Sequence, residues 1–235
     1  MSSLPWLEAG DPFPDIDQAL SDPNGLLAAG ASLTSQQLIK AYTAGIFPWY
    51  EAGQPILWWS PNPRSVLIPD QLNISRSLKK KLNSNEFTVS LDTQFEKVIA
   101  ACAGPRAYSD GTWITTDMYN AYVKLHQQGY AHSIECSFEG ELVGGLYGLS
   151  LGSLFFGESM FHYRTDASKV AMAYLCRLMT ELNCPLIDCQ VENDHLNSLG
   201  AMNISRREFR GYLTQYTDAE HAIDWSALPS ILSPW

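Results

Sequence analysis

The stretch 131–191 constrains the fold more than any other part of this 235-residue chain. Two segments that alternate apolar and polar residues, 131–138 and 141–149, flank the pair Glu139-Gly140, and this arrangement predicts a β-hairpin. A third apolar segment, 154–160, continues the hairpin into a meander. A strongly apolar helix and a short apolar strand follow it. Antiparallel strands, a long helix and a further strand together predict an α+β fold with a mixed sheet.

Two carboxylates lie inside apolar segments of this stretch. Asp188 stands two residues before Gln190 in the last strand, and alternate residues of a regular strand project from the same face. Glu158 lies in the third strand next to Gly157, whose missing side chain lets a backbone or a ligand approach closely. A buried carboxylate is unfavourable unless it is paired or hydrogen-bonded. Each of the two is therefore either a satisfied structural group, for example a cap on a backbone amide, or a functional residue.

The charge of the chain is unevenly distributed. A formal net charge of −10 argues against binding of polyanions by the whole surface. Between residues 64 and 81, however, five basic residues accompany one acidic residue. Ser75 can cap a helix that carries four of these basic residues, Arg76, Lys79, Lys80 and Lys81. Such a helix is either a solvated face or a local patch that binds phosphate groups. A non-catalytic RNA-binding module would need only this helix and would leave the two carboxylates unexplained.

The remaining composition predicts a cytoplasmic protein with two parts. The five cysteines form no CxxC pair and no metal-ligand spacing, which is typical of reduced, buried thiols. The first residues lack the basic start and apolar core of a signal peptide, and no stretch is long enough to span a bilayer.

The turn-rich segment 60–63 predicts a boundary between a small N-terminal domain, residues 1–63, and a larger domain, residues 64–235.

Local motifs suggest two alternative enzyme classes, a serine hydrolase and a CoA-dependent acyltransferase. Residues 148–152 form a GxSxG motif, with Asp188 and His195 downstream in the order of a serine hydrolase that would use Ser150. That motif requires a sharp strand-to-helix turn, whereas the residues after Ser150 predict a strand. A CoA-dependent acyltransferase would need a glycine-rich turn that holds a diphosphate at a helix N-terminus. The segment 162–166 before the long helix has no glycine and ends in an acid, so the sequence disfavours this class as well.

Several longer motifs resemble those of one family. GIFPWY (45–50), LWWSPNPR (57–64), GTWIT (111–115), FGESMF (156–161) and LIDCQV (186–191) occur in this order. They are similar to motifs of the leucyl/phenylalanyl-tRNA–protein transferases, and the resemblance extends from about residue 24 to residue 200. It implies a GNAT-like, acetyltransferase-type C-terminal domain of mixed-sheet α+β fold with a small N-terminal domain. It also implies that neither a metal nor a dissociable cofactor is needed.

The same resemblance implies an activity and its partners. Such enzymes move Leu or Phe, with Met as a further candidate, from a charged tRNA onto a protein. The acceptor is the α-amino group of a protein whose N-terminal residue is Arg or Lys, and the transfer marks that protein for degradation. The donor is an ester that is already activated, so the reaction requires no covalent enzyme intermediate.

Roles for individual residues follow from the resemblance. Asp188 and Gln190 lie at the reacting amine, where Gln190 orients the amine and Asp188 either polarises Gln190 or takes the proton. Glu158 holds the cationic N-terminus of the acceptor by charge-assisted hydrogen bonds. The four basic residues of the predicted helix contact phosphates of the tRNA acceptor stem. The residues of the aminoacyl pocket are Trp49, Trp113, Phe155, Gly157, Met160, Leu175 and Met179. Aromatic residues are expected at positions 175 and 179, so the preference between Leu and Phe stays open.

Overall fold

The computed structural model describes residues 4–104 and 114–235, and these residues form two β-sheets and seven α-helices. The strands of the smaller sheet are β1 (Trp6–Leu7), β2 (Leu26–Gly30), β3 (Phe47–Pro48) and β4 (Leu57–Trp59). The strands of the larger sheet are β5 (Arg64–Leu67), β6 (Thr88–Leu91), β7 (Ala131–Phe138), β8 (Glu141–Leu151), β9 (Leu154–His162), β10 (Ile187–Gln190) and β11 (Met202–Ile204). The helices are α1 (Ser35–Thr43), α2 (Arg76–Asn83), α3 (Phe95–Cys102), α4 (Thr116–Gln127), α5 (Ala167–Glu181), α6 (Asp194–Ser198) and α7 (Arg206–Tyr216).

Local chemistry accounts for most helix starts. The side-chain oxygens of Thr34, Ser75 and Thr115 each accept a hydrogen bond from a backbone N–H in the first turn of α1, α2 and α4. Asp92, three residues before α3, does not cap that helix. The carboxylate of Asp92 instead accepts a hydrogen bond from the backbone N–H of Ser133, 2.8 Å away on β7.

The larger sheet is mixed, as the sequence predicts. Its strand order is β11-β5-β10-β9-β8-β7-β6. The β7–β8 hairpin turns at Glu139 and Gly140, whose φ angles of +52° and +86° suit a tight two-residue turn. α5 connects β9 to β10, which pairs parallel with β9 and antiparallel with β5. Parallel pairing places Asp188 opposite Phe156. The predicted α+β class is therefore confirmed.

Each face of the larger sheet packs against a different hydrophobic cluster. The consecutive residues Phe155 and Phe156 belong to different clusters, as residues on opposite faces of a strand do. One cluster contains residues of α1, α3 and α4 together with the smaller sheet. The other contains residues of α2 and α5 together with Trp225 and Leu232 from the C-terminal segment.

The chain passes from the smaller to the larger sheet between Trp59 and Arg64. The predicted domain boundary after residue 63 falls in this interval. However, one cluster joins Trp58 of the smaller sheet to Val66 and Phe156 of the larger one. The division into two domains therefore stays a prediction. In the described part of the chain, no helix is long and apolar enough to cross a membrane.

Candidate active site

Asp188 is fully buried and is held by an arginine. Its two carboxylate oxygens accept hydrogen bonds from Nε and Nη2 of Arg64 at 2.8 and 2.7 Å. The exposed fractions of the two side chains are 0% and 1%. The guanidinium also lies over the rings of Phe47 and Phe209, at 4.8 and 4.7 Å from their centroids, and Nη1 donates to the carbonyl of Gly45. A buried cation therefore balances the charge of Asp188.

The strand β10 is irregular between Asp188 and Gln190. Its register with β5 pairs Asp188 with Val66 and Gln190 with Ser65, so one extra residue lies between them. Gln190 has a φ of +64°, in the left-handed region. Its backbone N–H donates to Oδ1 of Asp188 at 2.9 Å. The simple alternation that the sequence predicts is wrong here, and Asp188 holds the backbone of Gln190 directly.

Glu158 stands at a second irregularity, in β9. Tyr147 of β8 pairs with Ser159 of β9, while the next residue, Gly148, pairs with Gly157. Glu158 is therefore the extra residue of a β-bulge. Bulges commonly turn a side chain away from the direction that regular alternation would give it.

Three side chains from different elements converge on Glu158. Its Oε1 accepts hydrogen bonds from the hydroxyl of Tyr42 in α1 and from Nε2 of Gln190 in β10, both at 2.7 Å. Its Oε2 accepts one from the hydroxyl of Tyr122 in α4 at 3.1 Å. The two tyrosine hydroxyls are also hydrogen-bonded to each other. The structure thus brings Glu158 and Gln190 together and connects Asp188 to them through the backbone of Gln190.

Burial raises the pKa of Glu158 to about 8, because desolvation disfavours the charged form. The hydrogen bonds from Tyr42, Tyr122 and Gln190 oppose this rise, and the charge of Asp188 adds to it. Burial, together with the neighbouring Glu158, also holds the pKa of each tyrosine well above 10. The tyrosines therefore remain neutral donors, while the carboxyl of Glu158 exchanges its proton near neutral pH.

Most of the predicted pocket residues share one hydrophobic cluster on the α5 side of the larger sheet. Phe155, Leu175 and Met179 are buried in it, and Met160 is partly buried against it. Gly157 lies where β9 and β10 stop pairing, and a Cβ added to it would stand 3.4 Å from the carbonyl oxygen of Asp188.

The first of the two predicted tryptophans, Trp49, is not part of this cluster. Trp49 follows β3 of the smaller sheet and is 45% exposed. Its ring lies 5.6 Å from that of Trp59, whose Nε1 donates to the carbonyl of Trp49 at 2.7 Å. Trp113 lies outside the described residues.

The predicted basic patch lies on α2. Arg76, Lys79 and Lys80 are exposed to solvent. Lys81 instead donates a hydrogen bond to Oε2 of Glu86 at 2.8 Å. Three of the four basic side chains are therefore exposed on this helix, and the fourth is already neutralised within the chain.

The GxSxG motif has a structural explanation. Ser150 lies within β8, and a tight turn leads directly into β9, so the strand-to-helix elbow of a serine hydrolase is not formed. Gly148 leaves room for the ring of Phe155, since a Cβ there would lie 2.6 Å from it. Gly152 has a φ of +57°, and a Cβ there would overlap the carbonyl oxygen of Tyr216. The hydrolase alternative is therefore not favoured.

The start of α5 does not suit a diphosphate. Asp166 occupies the N-cap position with a φ of +67°, and its carboxylate lies 3.4 Å from Nζ of Lys169. An acid at this position opposes an anionic ligand, which also disfavours the CoA alternative. Within the described ranges, no group of three or more His, Cys, Asp or Glu side chains is arranged to hold a metal ion.

Three residues of this arrangement are not identifiable from the sequence. Arg64 appears there only as the end of one motif and the start of the basic segment. Its strand, β5, pairs with β10, but nothing in the sequence alone relates Arg64 to Asp188. Tyr42 and Tyr122 lie in separate helices, and nothing local relates either of them to Glu158.

Two family models match the chain. The model described as leucyl/phenylalanyl-tRNA protein transferase matches residues 66–214, and the model of the N-terminal domain of that family matches residues 31–62. A leucyl/phenylalanyl-tRNA–protein transferase of Pseudomonas putida is 55% identical over 225 residues, which cover 95% of this chain and 100% of the relative. The enzyme of that name from Azotobacter vinelandii is 55% identical over 215 residues, which cover 92% and 95%.

Solved structures resemble the chain more distantly. L-PGS from Bacillus licheniformis matches with a TM-score of 0.40 at 12% identity, over 80% of this chain and 63% of that one. A GCN5-related N-acetyltransferase from Kribbella flavida matches with a TM-score of 0.37 at 12% identity, over 70% of this chain and 58% of that one. Scores this low carry no argument about function.

The sequence matches, in contrast, extend over nearly the whole chain at more than half identity. The predicted family and the predicted enzyme class, a transferase, are thereby confirmed. The chain belongs to the leucyl/phenylalanyl-tRNA–protein transferase family.

Proposed function

We propose that this chain transfers leucine or phenylalanine, with methionine as a further donor amino acid, from charged tRNA to a protein. The acceptor is the α-amino group of a protein whose N-terminal residue is Arg or Lys, and the reaction takes place in the cytoplasm. The observation that carries the proposal is the 2.7 Å hydrogen bond between Gln190 Nε2 and Glu158 Oε1 in a chain of this family. It joins a carboxyl group that titrates near neutral pH to a carboxamide at the point where β9 and β10 separate.

The reaction needs alignment and the removal of one proton. The α-amine attacks the ester carbonyl carbon, a C–N bond forms, and the C–O bond to the ribose breaks. The ammonium form of the acceptor first gives one proton to a nearby base, and after the attack a second proton passes from the nitrogen to the departing ribose oxygen. Holding the amine and the ester in the reactive geometry can contribute about 7–11 kcal/mol in favourable cases. A nearby proton acceptor whose pKa matches that of the amine supplies the remaining requirement.

Glu158 can both bind the ammonium group of the acceptor and take up its proton. A free α-ammonium has a pKa of roughly 8, so its proton passes to a carboxylate whose pKa is about 8 at little free-energy cost. As a carboxylate, Glu158 first holds the ammonium group by charge-assisted hydrogen bonds. Gln190 then orients the neutral amine. Its Nε2 is directed to Glu158, which leaves Oε1 on the opposite side of the carboxamide to accept an N–H of the amine.

Asp188 acts as a positioning residue in this proposal. It is fully buried and paired with Arg64, so it reaches the substrate only through Gln190. The left-handed backbone of Gln190 is a conformation that L-residues occupy at a cost, and the hydrogen bond from its N–H to Asp188 stabilises it. The proton transfer is therefore assigned to Glu158 rather than to Asp188.

The donor substrate, aminoacyl-tRNA, binds through its amino-acid side chain and its phosphates in this proposal. The aminoacyl side chain enters the cluster formed by Phe155, Met160, Leu175 and Met179, and unbranched Met adapts to both Leu and Phe. The exposed basic residues of α2 contact phosphates of the tRNA. The acidic remainder of the surface favours acceptors that begin with Arg or Lys.

The test is transfer of labelled Leu and Phe from tRNA to peptides that begin with Arg, Lys or Ala. The expected result is transfer to the Arg and Lys peptides but not to the Ala peptide. Gln190→Met retains side-chain length without the carboxamide, and we expect the loss of orientation to lower kcat by about 10²-fold while charged-tRNA binding is retained. Gln215→Met, at an exposed position on α7, is the matched control. Absence of transfer by the unmodified chain, or full activity of Gln190→Met, would contradict the proposal.

A further inference from the structure

The C-terminal segment, residues 217–235, follows the part of the chain that the larger family model matches. It returns along the outer edge of the larger sheet. The backbone N–H of Leu91 donates to the carbonyl of Ser230, and the N–H of Leu232 donates to the carbonyl of Val89, each at 2.9 Å. These bonds fix the segment to β6, at the edge of the sheet that continues through β7 and β8 to β9.

The segment brings Trp225 directly behind Phe155. The indole is 7% exposed, and its ring centroid lies 5.9 Å from that of Phe155 with an angle of 45° between the planes. Both residues belong to the cluster that contains Leu175 and Met179. Trp225 is therefore part of the layer that supports the predicted pocket, although it lies outside the motifs that identify the family.

A fixed imidazole ring holds Trp225 on its other side. The rings of His132 and Trp225 are stacked, with centroids 4.0 Å apart and planes 9° from parallel. Nδ1 of His132 lies 2.7 Å from Oδ2 of Asp92, and Nε2 lies 3.1 Å from the carbonyl oxygen of Gly129. Each ring nitrogen thus lies within hydrogen-bonding distance of an acceptor oxygen, and these two contacts fix the plane of the imidazole against the indole. The position of Trp225 is thus supported by a buried imidazole whose own orientation is fixed.

Phe155 has little freedom to move away from Trp225. Its ring packs over Gly148 so closely that a Cβ there would lie 2.6 Å from the ring. On the other side, Trp225 lines an open groove of ≈ 510 Å³ together with Asp92, His126 and His132. The indole consequently lies between Phe155 and this groove. A shorter side chain at position 225 would let Phe155 move towards the groove and away from the pocket.

We propose that Trp225 is a specificity-determining residue. By fixing Phe155 it sets the depth of the aminoacyl pocket and therefore the preference between leucine and phenylalanine. This inference rests on the proposed function, because it requires Phe155 to line the pocket for the transferred amino acid. Leu175 and Met179 are flexible aliphatic side chains, whereas Phe155 and the Trp225 behind it are rigid aromatic rings.

The test compares kcat/KM for Phe-tRNA with kcat/KM for Leu-tRNA in variants of the full chain. Trp225→Leu should raise the Phe-to-Leu ratio about five-fold or more, because deeper space favours the larger side chain. Trp225→Phe should shift the ratio in the same direction by a smaller factor. Among the described residues, Nε1 of Trp225 has no hydrogen-bond partner, so neither substitution leaves a polar group unpaired.

Trp235→Leu is the matched control. Trp235 belongs to the same segment, but it packs 5.6 Å from Tyr174 on α5 rather than against Phe155. We expect it to lower the thermal unfolding temperature while the Phe-to-Leu ratio stays within two-fold of that of the unmodified chain. A ratio within two-fold in Trp225→Leu would overturn the inference, and if that variant does not fold, an unchanged ratio in Trp225→Phe would do so. Failure of the unmodified chain to transfer either amino acid would instead contradict the proposed function.

Discussion

At the scale of single residues, the site contains two carboxyl groups with opposite surroundings. Asp188 receives two hydrogen bonds from a guanidinium and one from a backbone N–H, so a full positive charge offsets its burial. Glu158 receives hydrogen bonds from two hydroxyl groups and one carboxamide, which are all neutral. Neutral donors offset only part of the loss of hydration of a carboxylate, and this difference is why the pKa of Glu158 rises to about 8.

The raised pKa predicts a specific dependence of stability on pH. Above its ordinary pKa of 4.5, Glu158 keeps its proton in the folded chain and loses it in the unfolded chain. Its contribution to stability is therefore complete below pH 4.5, decreases as the pH rises towards about 8, and is constant above that. Glu158→Gln removes this decrease. Relative to the unmodified chain, we expect the variant to gain on the order of a few kcal/mol of unfolding free energy between pH 5 and pH 9.

Urea unfolding at pH 5, 7 and 9 measures this gain. The informative quantity is the difference in unfolding free energy between the variant and the unmodified chain at each pH, since other titrating groups are common to both. A difference that stays constant from pH 5 to pH 9 would show that Glu158 titrates at its ordinary value. It would also remove the argument that Glu158 takes the proton of the acceptor amine.

At the scale of secondary-structure elements, the site depends on irregular strands. Glu158 is the extra residue of one bulge, and another irregularity lies between Asp188 and Gln190. A regular β9 and β10 would direct these side chains by strict alternation, whereas the two bulges bring Glu158 and Gln190 into contact. Bulges depend on how neighbouring strands pair, so they are properties of the sheet and not of either segment alone.

The helix α2 gives the prediction at this scale. Lys79 and Lys80 are exposed, whereas Lys81 is paired with Glu86. The double substitution Lys79→Gln/Lys80→Gln should weaken tRNA binding. It should also reduce the slope of log affinity against log salt concentration by about 1 for each phosphate that is no longer neutralised. The measurement is a series of binding titrations from low to moderate salt.

Lys81→Gln is the control within the same helix. Because Glu86 already neutralises Lys81, its substitution should change the salt slope less than substitution of either exposed lysine. Equal effects of all three lysines, or an unchanged slope in the double variant, would mean that this face of α2 does not contact the tRNA.

At the scale of the whole molecule, the features that the sequence predicts correctly are those that depend only on residues close together along the chain. The cap at Ser75 and the turn at Glu139-Gly140 are local, and the structure confirms both. The mixed sheet follows from the order of these elements. The five family motifs are also readable directly, because each is a continuous run of residues.

The sequence does not predict the features that depend on distant packing. Arg64 reads as one of five clustered basic residues, and only the folded chain places it over Phe47 and Phe209 and against Asp188. Trp225 likewise lies in a segment without family motifs, yet it contacts Phe155. In both cases the partners come from parts of the chain that no local pattern connects, so a single sequence contains no signal for the contact.

Arg64 gives the prediction that belongs to the whole molecule, because it joins the two sheets. It contacts Phe47 in the smaller sheet, Gly45 just before that strand, and Asp188 in the larger sheet. Arg64→Met leaves Asp188 buried without its cation, which costs about 3–5 kcal/mol, whereas Lys81→Met breaks a partly exposed pair and costs about 1 kcal/mol or less. Urea unfolding of both variants measures the contrast, and we expect transfer by Arg64→Met to fall as Gln190 loses its support. Similar small decreases in stability for the two variants would mean that the buried pair does not hold the sheets and the site together.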